Sequence, residues 1–250
     1  MNKKLVILLS CLAVIVVIVI CMSIAFTIDE VNVKTTNGLT IDEEVINDII
    51  LDSGIVAHSS IFGLEESTAI SNIEKMHPEL KVISIERKFP NDVYINISKR
   101  IPILFVAISD GSFALLDREL KVVEIVSEVE GAYITPITGI SVNQIQKGSF
   151  VEFEWLKPII SSAEDLSFVN ERFSTLITKI ERVTYEDLEN QTLLTTNTGV
   201  VFVIDDNLGT DAFNSFYTYY INEKNVTNQD HGYIYYDPEE KSLKHKDSLI

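Results

Sequence analysis

Between Val82 and Pro102 the sequence VISIERKFPNDVYINISKRIP leaves the backbone few options. Ile83 and Ile85 fall on one face of an extended chain, with Ser84 and Glu86 on the other. After a break, Val93, Ile95 and Ile97 alternate with Tyr94, Asn96 and Ser98. Period-two alternation marks strands with one buried and one wet face. Pro90-Asn91-Asp92 between them is turn chemistry: proline presets φ, and Asn and Asp bond their own backbone. Lys99-Arg100-Ile101-Pro102 closes the hairpin, because proline has no amide hydrogen for a ladder. Alone, such a hairpin suits the surface of any α+β domain, so its flanks decide more.

Upstream, Leu5 to Phe26 contains no charged residue. That is about 22 residues, or roughly 33 Å of helix, enough to cross a bilayer's hydrocarbon. Lys3 and Lys4 precede it, while Asp29 and Glu30 follow, which predicts a cytoplasmic N-terminus and an exported bulk. A cleaved signal would have a shorter apolar core and small residues at the cut, and Ser23-Ile24-Ala25-Phe26 is a poor site. Leu8-Leu9-Ser10-Cys11 looks like an acylation box but follows too few apolar residues. Cys11 and Cys21 both lie in the apolar run, so the exported part has neither disulfide nor thiolate metal site. It holds 18 of the 20 basic residues against all 37 acidic ones, a net charge of −19. That opposes binding nucleic acid or anionic lipid by general attraction.

After the apolar run, Thr27 to Lys34 reads as a strand, turned at Asn37-Gly38. Thr40 and Glu43 fit a capping box, ahead of Ile41, Val45, Ile46, Ile49 and Ile50 at helical spacing. Gly54 ends that helix. A second helix spans Leu64 to His77, with Ala69, Ile70, Ile73 and Met76 as its apolar face, and Pro78 stops it. Strand, helix, helix, strand, strand in roughly seventy residues is one small domain, two helices covering one sheet.

This βααββ order directly after a single span resembles the POTRA domain of the FtsQ/DivIB cell-division family. The family pattern P-x-V…a-x-V-x-R-x-x-P-x-t-l-x-I-x-v-x-E-R-x-P is met by Pro78, Val82, Ile85, Arg87, Pro90, Val93, Ile95, Ile97, Arg100 and Pro102, with Lys99 in place of Glu. Leu104 to Ser109 and Ser112 to Asp117 form a hairpin around Asp110-Gly111; Leu115-Leu116-Asp117 matches the family's l-i-D-x-x-G, with Leu120 at the glycine position. Thr135-Pro136-Ile137-Thr138-Gly139 resembles l-P-x-l-x-G. Farther on, 150–162 reads as a helix interrupted near Pro158, and 177–183 as a strand. A hairpin folds around Asn197-Thr198-Gly199, a helix spans 211–222, and a last strand covers 232–236. The resemblance implies an α+β chain: an N-terminal transmembrane helix, a βααββ POTRA-like domain and a second mixed α/β domain with a largely antiparallel sheet. The expected boundaries are 1–4 cytoplasmic tail, 5–26 span, 27–98 POTRA-like domain, 99–236 family β domain and 237–250 disordered tail.

Little in the sequence points to catalysis. His58, His77, His231 and His245 lack metal-ligand spacing and read as exposed and inert. No nucleophile elbow, Walker loop or dinucleotide fingerprint occurs. The carboxylate pairs, such as Asp42–Glu44 and Asp205-Asp206, sit in turns and helix starts and read as solvated surface. A membrane-tethered wall hydrolase or transferase is the alternative, and it would need converging carboxylates or a nucleophile with its base.

Aromatic residues crowd the C-terminal part. Phe213, Phe216 and Tyr220 share one helical face; Tyr217 and Tyr219 point elsewhere. In the last strand Tyr233 and Tyr235 share one side, Ile234 and Tyr236 the other. A terminal strand tends to form a sheet edge, and tyrosine is enriched at interfaces. A strand buried on both sides explains the pattern equally well. The family resemblance implies a non-enzymatic divisome scaffold. It implies binding to DivIC/FtsB-like and FtsL-like coiled coils through Tyr233, Ile234, Tyr235, Tyr236 and Asp237, to which the helix adds Tyr217 and Tyr219. The septal peptidoglycan synthase is a further implied partner, and no cofactor is expected.

Overall fold

The fold is described from a computed structural model over residues 11–20, 25–36, 39–130, 134–165, 173–183, 191–222 and 232–246. The chain divides into two compact units, Met1–Arg100 and Ile101–Ile250.

In the first unit residues 11–20 are helical and exposed. No helix among the described residues is long and apolar enough to cross a membrane. Residues 5–10 and 21–24 of the expected span lie outside the described residues, as does the expected turn at Asn37-Gly38. Then come β1 (Glu30–Thr35), α1 (Glu43–Asp52), α2 (Glu66–Met76), β2 (Leu80–Lys88) and β3 (Asp92–Lys99). The sheet order is β1-β3-β2, with β1 parallel and β2 antiparallel to β3. Ile49 of α1, Ala69 and Ile73 of α2, and Val93, Ile95 and Ile97 of β3 close one dry core.

Three local expectations change. The capping box is not made: α1 begins at Glu43, and its N-cap Asp42 has no side-chain cap bond. Glu43 and Glu44 still sit in the first turn, where the helix dipole favours them. Met76, placed on the apolar face of α2, is 61% exposed at the helix end. In β2 the register against β3 slips between Val82 and Ser84. An extra residue inverts the facing of what precedes it, so Val82 joins Ile85 in the core and Ile83 turns out to solvent.

The second unit is built on a nine-stranded mixed sheet, ordered β12-β11-β10-β9-β8-β7-β4-β5-β6. Its strands are β4 (Leu104–Ile108), β5 (Phe113–Leu116), β6 (Val122–Val126), β7 (Thr135–Val142), β8 (Ile177–Arg182), β9 (Gln191–Thr196), β10 (Val201–Asp205), β11 (Tyr233–Asp237) and β12 (Ser242–Lys246). β7 is parallel to β4 and β8, and β11 is parallel to β10; the other neighbours are antiparallel. The helices are α3 (Lys157–Asp165), the short α4 (Phe173–Leu176) and α5 (Gly209–Asn222). α3 and α5 lie together over the main core, with Ile159, Ile160, Phe213 and Phe216 buried beneath them. A smaller cluster forms from Val183, Leu193 and Val203, with Val201, Tyr233 and Tyr235 packed against it.

Pro158 does not interrupt a helix; it sits in the first turn of α3, where its missing amide hydrogen costs no bond. Nor is 237–250 a disordered tail throughout. Ser242–Lys246 pairs antiparallel with β11 along all five residues, and residues 247–250 lie outside the described ones.

Candidate partner-binding surface

β11 follows α5 and lies parallel to β10, Phe202 opposite Ile234 and Val203 opposite Tyr235. Parallel strands need a crossover, and α5 supplies it. The entry into α5 is held by Arg182, whose Nη1 and Nη2 donate to Asp206 Oδ1 and Oδ2 at 2.5 and 2.8 Å. Such a bidentate pair fixes orientation as well as distance. Asp205 adds an Asx turn, accepting from the Asn207 amide at 2.9 Å.

From this frame the expected partner residues separate. Ile234 is 4% exposed and belongs to the core. Tyr236, on the same side, is half-buried against that core, as are Tyr217 and Tyr219 of α5. Tyr233 and Tyr235 pack on the smaller cluster with Val183, Leu193 and Val203. The tyrosines therefore serve two separate apolar clusters. The side chain of Tyr220 lies outside the described residues.

The expected sheet edge also moves. β11 pairs with β10 on one side and β12 on the other, so β12 is the terminal strand of the described sheet. Asp237 ties the connecting turn. Its Oδ1 accepts from the Glu239 amide at 2.9 Å and the Glu240 amide at 3.1 Å, and its Oδ2 accepts from Lys244 Nζ. The Lys244 bond, then the Glu240 amide, holds the Asp237 carboxyl below the ordinary aspartate value. Lys244 is raised by Asp237 and then Glu240. Burial, with the neighbouring Tyr233, raises the Tyr235 phenol. Lys246 Nζ lies 4.7 Å above the Tyr235 ring, a cation–π contact. Gly232, with φ +131°, admits β12: a Cβ there would lie 2.6 Å from the Lys246 carbonyl oxygen. Asn214, Ser215, Thr218 and Tyr219 of α5 then face Lys241, Ser242 and Leu243 across an open groove.

The motif residues hold structure. Arg100 is 3% exposed; its Nε donates to the Leu80 carbonyl at 3.0 Å and its Nη2 to Glu74 Oε2 at 2.6 Å. Glu74 Oε1 accepts from the Val82 amide at 3.1 Å, so one ion pair bolts α2 to the bulged strand. Arg87 donates to the Leu64 carbonyl at 2.7 Å and pairs with Glu66 at 3.1 Å. Pro90 follows a cis peptide bond in the β2–β3 turn, and Pro102 lies between β3 and β4. Asp117, 3% exposed, accepts from the amides of Glu119 and Lys121, both at 2.9 Å. That turn carries Leu120 at φ +61°, which explains glycine in the family pattern. Pro136 comes before the first β7–β8 pair, Ile137 with Ile180. Gly139, at φ +78°, lies so close to β8 that a Cβ would meet the Arg182 carbonyl oxygen at 2.1 Å. Arg87, Pro90 and Arg100 belong to the first unit, and Pro102, Asp117, Pro136 and Gly139 to the second.

Sequence reasoning missed Gly232, β12 and the Glu74 partner of Arg100. It also misplaced His77, which is largely buried and bonds Asp52 Oδ2 through Nε2 at 2.9 Å, joining the ends of α2 and α1. His58 is exposed, and His231 lies outside the described residues.

Comparison with known proteins agrees with the first unit. Residues 26–100 match the POTRA domain, FtsQ-type. No curated protein matches the chain. Among solved structures, the chain matches the major extracytoplasmic domain of the trans isomer of the bacterial cell division protein DivIB from Geobacillus stearothermophilus. That match has 11% identity and a TM-score of 0.31, and covers 52% of this chain and 98% of the other. The chain therefore carries an FtsQ-type POTRA domain at residues 26–100.

Proposed function

We propose that this chain is a single-span scaffold of the bacterial divisome that works by recognition, without turnover. Residues 5–26 anchor it in the cell membrane with the N-terminus cytoplasmic, and the two units stand outside. The second unit binds DivIC/FtsB-like and FtsL-like coiled coils at the septum, which bears on septal peptidoglycan synthesis. The carrying observation is the FtsQ-type POTRA domain, which starts at the last residue of a charge-free run long enough to span a bilayer.

The end of the large sheet supports the binding step. β12 is its terminal strand, and a terminal strand can accept another strand. Half-buried Tyr235 and Tyr219 on either side of the β11–β12 hairpin supply ring area to a contact. Tyr235→Glu and Tyr219→Glu in the full chain each lower co-purification of the coiled-coil pair, while circular dichroism holds its wild-type shape. A fluorescent fusion gathers at midcell. Wild-type capture by both folded variants, or a fusion spread evenly over the envelope, overturns the proposal. Release of soluble fragments from peptidoglycan by the exported part would favour the enzyme alternative.

A further inference from the structure

Three phenylalanines from three separate segments of the first unit meet in one cluster. The ring centroids of Phe26 and Phe62 are 5.2 Å apart, Phe62 and Phe89 5.5 Å, and Phe26 and Phe89 6.0 Å. Phe62 is 61% exposed and Phe89 55%. Neither ring is needed by the core. In the 3₁₀ turn Ile61–Gly63, Ile61 points inward and is fully buried, which leaves Phe62 outside. Phe89 comes just after β2, at a turn where polar residues are the ordinary choice.

The backbone holds these segments together. The Ile61 amide donates to the Phe26 carbonyl at 3.0 Å, and the His58 amide to the Ile28 carbonyl at 2.7 Å. The Asp29 amide donates to the Asn91 carbonyl at 2.8 Å. The chain leaving Phe26 is thus tied on one side to the Phe62 loop and on the other to the Phe89 turn. Phe26 is also the last residue of the uncharged run that begins at Leu5. An exposed cluster of apolar rings at the mouth of that run suits the boundary between headgroups and acyl chains, where phenylalanine on the apolar face of interfacial elements inserts.

We infer that Phe26, Phe62 and Phe89 seat the first unit on the lipid surface, their rings inserted at the boundary between headgroups and acyl chains. This rests on the proposal that residues 5–26 span the bilayer. The occupant is lipid because the cluster is covalently continuous with the span. Ring insertion drives the contact: a chain of net charge −17 has no general attraction for anionic headgroups. Seating therefore persists in uncharged phosphatidylcholine and is insensitive to salt, and it limits how freely the unit tilts about its anchor.

The test uses the full chain in phosphatidylcholine vesicles, with Phe62→Trp and Phe89→Trp made separately. The parent chain contains one tryptophan, Trp155, and supplies the background emission. Each added indole should emit to the blue of an exposed one and lose intensity when the acyl chains carry bromine, with no change in high salt. An added emission that is red-shifted and unquenched overturns the inference, as does one that is blue-shifted but unquenched, which would mean that protein, of this chain or a second copy, covers the cluster. Alkaline extraction of the same vesicles separates the two claims. A chain that stays with the lipid while its indoles are unquenched defeats the seating alone, whereas a chain that washes off defeats the anchor and the seating together.

Discussion

Gly139 and Leu120 show how differently two positions in the left-handed region are held. At Gly139 the close approach is to backbone, the Arg182 carbonyl, which cannot rotate away. Gly139→Ala therefore parts β7 from β8 and costs at least about 2 kcal/mol, read as a lowered midpoint in urea unfolding. Leu120 pays a conformational penalty but is 1% exposed, so its side chain fills core. Leu120→Gly relieves roughly 1–2 kcal/mol of backbone cost and removes a buried leucine worth roughly 2–5 kcal/mol. The burial term is the larger, so the variant is less stable by up to about 4 kcal/mol, although it restores the family's residue. A gain in stability would mean that the strain outweighs the packing. Arg100 is a third kind: the family pattern marks it, yet its partner Glu74 lies 26 residues away on a helix, and nothing in the spacing announces that pair.

At the scale of elements, alternation and turn chemistry were enough for β3, β4, β5, the β9–β10 hairpin and α5, because each carries a period that one buried face imposes. They failed where a single residue breaks the period. The bulge at Ile83 reverses the facing of β2, and no residue type there signals it. β12 escaped notice because SLKHK is polar and carries no alternation of apolar and polar residues. The same blindness reached the candidate surface: the tyrosines were legible as a group, but their division between two clusters depends on where β12 and α5 lie. The β11–β12 hairpin also titrates. Asp237 is held below its ordinary value, so what it contributes is present above that value and fades as pH falls through the lowered one. Lys244 is held above its ordinary value, so its share is present below that value and is lost only as pH rises through the raised one. Protection of the β12 amides, relative to their intrinsic exchange rate at each pH, should be greatest between these limits. Asp237→Asn should lower it at neutral pH and flatten its acid limb; unchanged protection would show that strand pairing alone holds the hairpin.

For the molecule as a whole, the two units have separate hydrophobic cores, one around Ile95 and Ile73 and one around Phe213 and Leu104. Cooperativity in folding follows shared burial, so two cores imply two transitions. Ile95 is fully buried between the sheet and its helices, and Ile95→Ala leaves a cavity costing about 2–5 kcal/mol. That loss should fall on the unfolding of the first unit, whereas the loss from Gly139→Ala should fall on the second. Calorimetry of residues 27–250 would resolve this as two endotherms, each lowered by one variant and left in place by the other. One endotherm moved equally by both would mean that the units fold as a single body. Two independent endotherms instead mean that the POTRA domain and the nine-stranded sheet can each be altered without unfolding the other.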